Sequence, residues 1–225
     1  MAEVRDKKAL IITAYIDGKI RNIVDPDDYD LRVCADAEYS LAIAKNITPD
    51  VMIGDFDFVE SVDDIKRAQN DSALKCITLP TAKDDTDTLA AVKFAISEGY
   101  YRIRMLGGIG ARLDHTIANL QTLAYGLECG AFITMSDEYN SAFLLKDGWA
   151  DVYKKKDSYL SIFSWSDVSK HVTIKGTAYD VVDAEFSRKF PVSVSNEIVD
   201  ERAVIAIEDG ILLVVVSSKS QAAMH

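Results

Sequence analysis

Pro80-Thr81-Ala82-Lys83-Asp84-Asp85-Thr86-Asp87 gathers three aspartates and a lysine between the apolar run Cys76–Leu79 and the apolar-periodic segment Leu89–Ile96. Carboxylates at a helix start can be plain caps that satisfy free N–H groups and suit the dipole. Two further loops favour chemistry. Gly54-Asp55-Phe56-Asp57 follows Val51–Ile53, and Gly107-Gly108-Ile109-Gly110-Ala111-Arg112-Leu113-Asp114-His115 follows Ile103–Leu106. In an open α/β sheet, ligands bind outside the carboxyl ends of the strands, where all three loops would lie. Asp55 and Asp57, two apart, aim the same way in extended chain, and Asp84 and Asp87, three apart, share a face near a helix start. Such hard oxygen ligands suit Mg²⁺, which takes one or two carboxylates plus substrate phosphates.

The glycine loop lets backbone approach a phosphate at a helix N-terminus, although it is neither a Walker loop nor a dinucleotide fingerprint. Arg112 adds a permanent planar cation matched to phosphate oxygens. Asp114 can cap the helix while ordering Arg112 or a metal-bound water. His115 and Asn119, four apart, share a helix face.

These loops need elements to hold them. Lys8–Ala14, Leu31–Ala35 and Val51–Ile53 read as strands, Ala37–Lys45 and Ser61–Gln69 as helices, and Ile16–Asp30 as loop. The clearest unit follows: strand Cys76–Leu79, helix Thr86–Glu98, strand Arg102–Leu106, helix Asp114–Glu128 and strand Ala131–Met135. Strands alternating with helices of this length predict a parallel sheet with right-handed crossovers. In the second helix Ile117, Leu120, Ala124 and Leu127 fall at helical spacing and are expected to face the sheet.

After Lys146 the helical period stops. Tyr159–Phe163, Val172–Ile174, Val181–Val182, Val192–Val194, Ala203–Ile207 and Leu212–Val216 are short β-rich runs, and Glu208-Asp209-Gly210 reads as a hairpin turn. The expected organisation is therefore α/β: an N-terminal parallel-sheet domain over 1–146, an all-β sandwich over 147–217, and a frayed tail at 218–225.

With 225 residues, 48% of them hydrophobic, the chain has ample material for a core. No apolar run approaches the roughly 18 residues of a membrane span. The charged start and the short run Ala9–Ile12 do not make a secretory signal, so a cytoplasmic location is expected. A net charge of −11 argues against nucleic acid as a partner, and makes a bridging divalent cation fitting for any phosphate substrate. Cys34, Cys76 and Cys129 carry no metal or disulfide spacing and read as reduced, buried thiols. Three dispersed histidines do not suit the bimetal site of a phosphohydrolase.

Gly54-Asp55-Phe56-Asp57, Lys83-Asp84-Asp85-Thr86-Asp87, Gly110-Ala111-Arg112-Leu113-Asp114-His115 with Asn119, and Ser195-Asn196-Glu197 resemble, in that order, the motifs of thiamine pyrophosphokinases. The likeness runs from about Asp36 to Val216. It implies a nucleotide-binding α/β domain followed by a β-sandwich, a homodimer with the acceptor site at the subunit interface, and Mg²⁺-dependent transfer of a pyrophosphoryl group from ATP to the thiamine hydroxyl, releasing AMP. Carried over residue by residue, Asp55, Asp57, Asp84 and Asp87 become the metal and triphosphate end. Lys83, Thr86, Arg112, Asp114, His115 and Asn119 become nucleotide-holding residues. Asp36, Tyr179, Ser195 and Asn196 fall on the acceptor side. Phosphoryl-type transfer is mainly positioning and charge stabilisation. Arg112 is thereby expected at the β-phosphorus, and Asp57 or Asp84 as acceptor of the alcohol proton.

Three segments depart from the family pattern. Ala35-Asp36-Ala37-Glu38-Tyr39-Ser40 stands for Ala-Asp-Gly-Gly-Ala-Asn, Phe58 for the serine after Gly-Asp-Phe-Asp, and Gly176-Thr177-Ala178-Tyr179 for Gly-Leu-Lys-Trp/Tyr. The first bears on the acceptor pocket, so a pterin alcohol of the 6-hydroxymethyl type is an alternative acceptor. A non-catalytic nucleotide-binding protein of the same fold is the alternative of a different class.

Overall fold

Short apolar runs with turn residues at their ends become a parallel sheet in the computed structural model, which describes residues 7–13, 15–16, 23–35, 39–44, 46–55, 74–80, 84–110 and 112–219. The strands are β1 (Lys8–Ile12), β2 (Leu31–Ala35), β3 (Val51–Gly54), β4 (Lys75–Thr78), β5 (Arg102–Leu106) and β6 (Phe132–Ser136). Their order is β4-β3-β2-β1-β5-β6, and every neighbouring pair is parallel. Such strands are covered on both faces, and Ala9–Ile12 is accordingly wholly buried. The helices that return the chain are α1 (Tyr39–Ala44), α2 (Asp87–Ser97) and α3 (Leu113–Glu128). The expected helix Ser61–Gln69 lies outside the described residues.

Alternation divides the core. Leu10 and Ile12 pack with Cys34, Met52 and Leu106 against Ala42 of α1, while Ala91, Val92 and Ala95 of α2 are buried across β1, β2 and β3. The inward face of α3 differs from the expected one. It is Asn119, Thr122, Leu123 and Gly126 that are buried, whereas Ile117 is 48% exposed. The reason is distance: a Cβ on Gly126 would overlap the Ile133 side chain, so the helix approaches β6 too closely for bulky residues on that face. Cys34 is buried as expected, but Cys76, on edge strand β4, and Cys129, just past α3, are exposed.

The chain divides into two compact units, Met1–Glu138 and Tyr139–His225. The rhythm change at Lys146 thus falls inside β7 (Asn140–Tyr153), the first strand of the second unit. β8 (Ser158–Ser164), β9 (Val168–Lys175), β10 (Val181–Ser187), β11 (Ser193–Asn196) and β12 (Arg202–Ser218) follow. Glu208-Asp209-Gly210 is not a hairpin. It is an irregularity inside the 17-residue β12, opposite the Asp147-Gly148 bend of β7, and the two strands stay paired on both sides of it. Before the bend β12 pairs with β9, and after it with β8. Strands that bend and change partner in this way make the corners of a two-sheet sandwich. Leu160, Ile162, Val172, Ile174, Ile205 and Val214 fill the space within it. Among the described residues, no helix is long and apolar enough to cross a membrane.

On the β9–β10 ribbon, His171 Nδ1 lies 2.7 Å from Asp183 Oδ1. This hydrogen bond and the carboxylate charge raise the imidazole pKa above its ordinary value. A raised histidine pKa stabilises the fold fully below the unfolded value of about 6.5, and the contribution is lost as pH rises through the folded pKa. An NMR titration is expected to place the His171 midpoint above about 6.5, and Asp183→Asn to bring it back down.

Candidate active site

Strand order reverses between β1 and β5, which is where open α/β sheets hold ligands. Ile12 and Leu106 are register partners there, and the Thr13 amide and hydroxyl both donate to the Leu106 carbonyl, at 3.0 and 3.2 Å. Gly107 N donates to Ser136 O at 2.9 Å and Gly108 N to Tyr15 O at 3.2 Å, so the glycine loop leaves the sheet along the end of β1. Gly108 has φ +74°, and a Cβ there would overlap the Asn119 amide and lie 2.9 Å from Thr13 Oγ1. Asn119, only 5% exposed, donates from Nδ2 to Gly108 O at 3.0 Å. It braces the loop from beneath while His115, one turn earlier, stays exposed.

Beyond the glycines, Thr116 Oγ1 accepts from Gly110 N at 3.1 Å and ties the loop to the first turn of α3. Arg112 is the N-cap residue without a side-chain cap bond, and Asp114 lies inside the first turn. The Asp114 carboxylate takes both ends of the Arg112 fork, at 3.2 Å from Nε and 2.5 Å from Nη2, and also accepts from His115 N. The Arg112 hydrogen bond holds the Asp114 pKa below its ordinary value, so the pair persists into mild acid and loosens only as pH falls through the lowered pKa. Both side chains are exposed, which leaves the guanidinium ordered yet open to an anion.

The acidic loops lie at the carboxyl ends of β3 and β4, which end side by side with Leu79 N donating to Gly54 O at 2.9 Å. Asp55 is half-buried, Asp84 exposed and Asp87 half-buried in the first turn of α2. Thr86 is the N-cap, its hydroxyl accepting from Leu89 N at 3.1 Å, and Asp85 is ion-paired with Lys93 at 2.6 Å. Asp57, Lys83 and Asp36 lie outside the described residues. Among the described residues, no three acidic or histidine side chains are gathered tightly enough to hold a metal alone. Asp55, Asp84 and Asp87 still offer the hard oxygen donors that Mg²⁺ takes together with substrate phosphates.

In the second unit, Asn196 is buried and its carboxamide is saturated. Nδ2 donates to Thr177 Oγ1 and Tyr179 O at 3.1 and 3.0 Å, and Oδ1 accepts from Tyr179 N and Glu197 N at 3.2 and 2.9 Å. Asn196 therefore sets the conformation of the 177–180 turn. Tyr179, on that turn, is 75% exposed and borders an apolar recess with Val181, Phe186, Val192 and Val194. Ser195 has φ 58°, unusual for a residue other than glycine, and its amide is held by Ser161 Oγ at 3.0 Å. Asn196→Ala strands several of these partners. A loss of about 2–4 kcal/mol in denaturant-unfolding stability is expected, since each buried orphan costs about 1–3 kcal/mol.

Residues 26–132 match the family model of the thiamin pyrophosphokinase catalytic domain, and residues 151–212 match that of the thiamin pyrophosphokinase vitamin B1 binding domain. The chain belongs to the thiamin pyrophosphokinase family. One match lies in each structural unit. The thiamine pyrophosphokinase of Bacillus subtilis (strain 168) is 25% identical over 194 residues, 85% of this chain and 89% of that protein. A crystal structure of thiamine pyrophosphokinase from Bacillus subtilis has a TM-score of 0.85 at 23% identity, covering 94% of this chain and 99% of that one. The thiamin pyrophosphokinase structure from Geobacillus thermodenitrificans has a TM-score of 0.82 at 23% identity, covering 95% and 98%. At these identities the structural likeness establishes the fold.

Several residues that hold these loops carry no signal in the sequence. Thr13 and Tyr15 follow a run that reads only as core, yet they form the wall on which Gly107, Gly108 and Gly110 rest. Thr116 and Ser161 hold site backbone through their hydroxyls. A threonine just past a buried strand that enters a switch point is the one signal that points to Thr13.

Proposed function

We propose that this member of the thiamin pyrophosphokinase family transfers a pyrophosphoryl group from ATP to the hydroxyl of thiamine, giving thiamine diphosphate and AMP. The observation that carries the reading is the pairing of a catalytic-domain match in the first unit with a vitamin B1 binding-domain match in the second. The backbone at Gly107–Gly110 receives phosphate oxygens beside the start of α3. Arg112, oriented by Asp114, meets charge developing on the transferred group. Asp55, Asp57, Asp84 and Asp87 would hold a divalent cation arriving with the nucleotide, which would neutralise triphosphate charge. Lys83, Thr86, His115 and Asn119 complete the nucleotide side, and Asp57 or Asp84 takes the alcohol proton.

In the second unit, the recess at Tyr179, Val192 and Val194 offers ring surface to a heteroaromatic acceptor, with Asn196 holding its shape, and Ser195 is assigned to the same acceptor. The role assigned to Asp36 is also on the acceptor side. The protein acts in the cytoplasm as a homodimer that completes the acceptor site, which light scattering tests as a mass of twice 24.8 kDa. The deciding assay measures AMP from ATP and Mg²⁺ with thiamine, with a hydroxymethylpterin, or with no acceptor. AMP matched by thiamine diphosphate only in the first mixture is expected. AMP with the pterin alone overturns the acceptor, and no AMP at all overturns the catalytic reading.

A further inference from the structure

A second cavity lies at the other end of the parallel sheet. Ile133 faces α3, since Gly126 packs against it, so Phe132 and Thr134 point to the opposite face of β6. Register places Arg102 beside Phe132 and Lys8 beside Arg102, with Arg104 beside Thr134 one step along. Together with Tyr29 these side chains line a cavity of about 180 Å³ at the amino ends of β1, β5 and β6. Three cations converge there in a chain of net charge −11. Phe132 is 45% exposed, where a parallel-sheet face is ordinarily covered. Arg104 Nη1 donates to Ile23 O at 3.5 Å and stands near Tyr29, whose phenol pKa is raised by burial with Arg104 opposing. Among the described residues, nearby carboxylates include Asp30, which accepts from Lys8 N at 3.0 Å, and Asp28, whose charge reaches Tyr29.

Guanidinium forks match phosphate oxygens, and aromatic and guanidinium planes stack on rings. We propose that this cavity binds a phosphate ester of an uncharged aromatic base, the chemistry of a nucleoside monophosphate, at a site separate from the catalytic edge. Lys8 and Arg102 take the phosphate with Arg104, and Phe132 and Tyr29 take the ring.

The test is an NMR titration of the full chain with AMP, compared with inorganic phosphate and with adenosine. AMP is expected to shift the amides of Ile103, Arg104, Phe132 and Thr134 saturably. Phosphate or adenosine alone should need about tenfold higher concentration, because each half gives up contacts worth about one decade in affinity. Lys8→Gln/Arg102→Gln, both exposed positions, is expected to weaken these shifts about tenfold while leaving any AMP-induced shifts at Gly107–Asn119 unchanged. Arg102→Gln alone serves if the double variant unfolds. Shifts confined to Gly107–Asn119, phosphate binding as tightly as AMP, or undiminished AMP binding in the variants would each overturn the proposal.

Discussion

Asp84→Ala and Asp87→Ala are each expected to lower Mg²⁺-dependent pyrophosphoryl transfer by about 10²–10³-fold, the range seen when one preorganised electrostatic partner of a transition state is removed. Stability should hardly change, and that contrast is the informative part. Thr86, not either aspartate, caps α2 through Leu89 N. Asp84 precedes the helix and is exposed, while Asp87 lies in the first turn, where a carboxylate adds a dipole interaction of about 0.3–1 kcal/mol. Thermal melts beside steady-state assays over a Mg²⁺ series separate the two effects. Full turnover in a folded Asp87→Ala protein would falsify its assignment to the metal and triphosphate end. A large fall in melting temperature would instead assign these carboxylates to the fold.

Gly108→Ala is expected to damage both the fold and turnover. At φ +74° a side chain is strained by about 1–2 kcal/mol before any contact is counted. The added Cβ also overlaps the buried Asn119 amide and lies 2.9 Å from Thr13 Oγ1, so the loop must move or Asn119 must give up Gly108 O. A total loss of about 2–5 kcal/mol follows, since overpacking adds about 1–3 kcal/mol. Turnover should fall by about 10²-fold, because a displacement on the order of 1 Å at a positioning loop has that effect. Gly99→Ala is the control: Gly99 has a similar φ of +86° but nothing within 4 Å of its absent Cβ. It should lose about 1–2 kcal/mol from strain and retain full turnover. Equal loss of turnover in the two variants would remove the positioning role of Gly108.

The parallel half of the molecule was legible because short apolar-rich runs alternate with segments of helical period. Arg102–Leu106 falls on β5 residue for residue, and Leu31–Ala35 on β2. Given parallel strands, the loops at Asp55, Asp84–Asp87 and Gly107–Asp114 must follow carboxyl ends, where open α/β sheets bind ligands. The face of α3 was not legible. Apolar periodicity reports which residues avoid water, whereas the observed face is set by how closely the helix approaches Ile133, which admits Gly126 and excludes leucine.

Glu208-Asp209-Gly210 carries the turn chemistry of a hairpin and of a bend alike. Only the continued pairing of β12 with β7, from Arg202↔Tyr153 to Ser217↔Asn140, decides for the bend. In the same way, the sequence by itself determined that acidic and glycine-rich loops end apolar strands, and in which order the family motifs occur. Tertiary structure alone decided that Thr13 meets Leu106 across 93 residues, that Asn119 lies beneath Gly108, and that Asn196 is saturated by the turn carrying Tyr179. Local spacing can bring carboxylates to one loop, but hydrogen-bond partners far apart in the chain are chosen by the packing of whole elements.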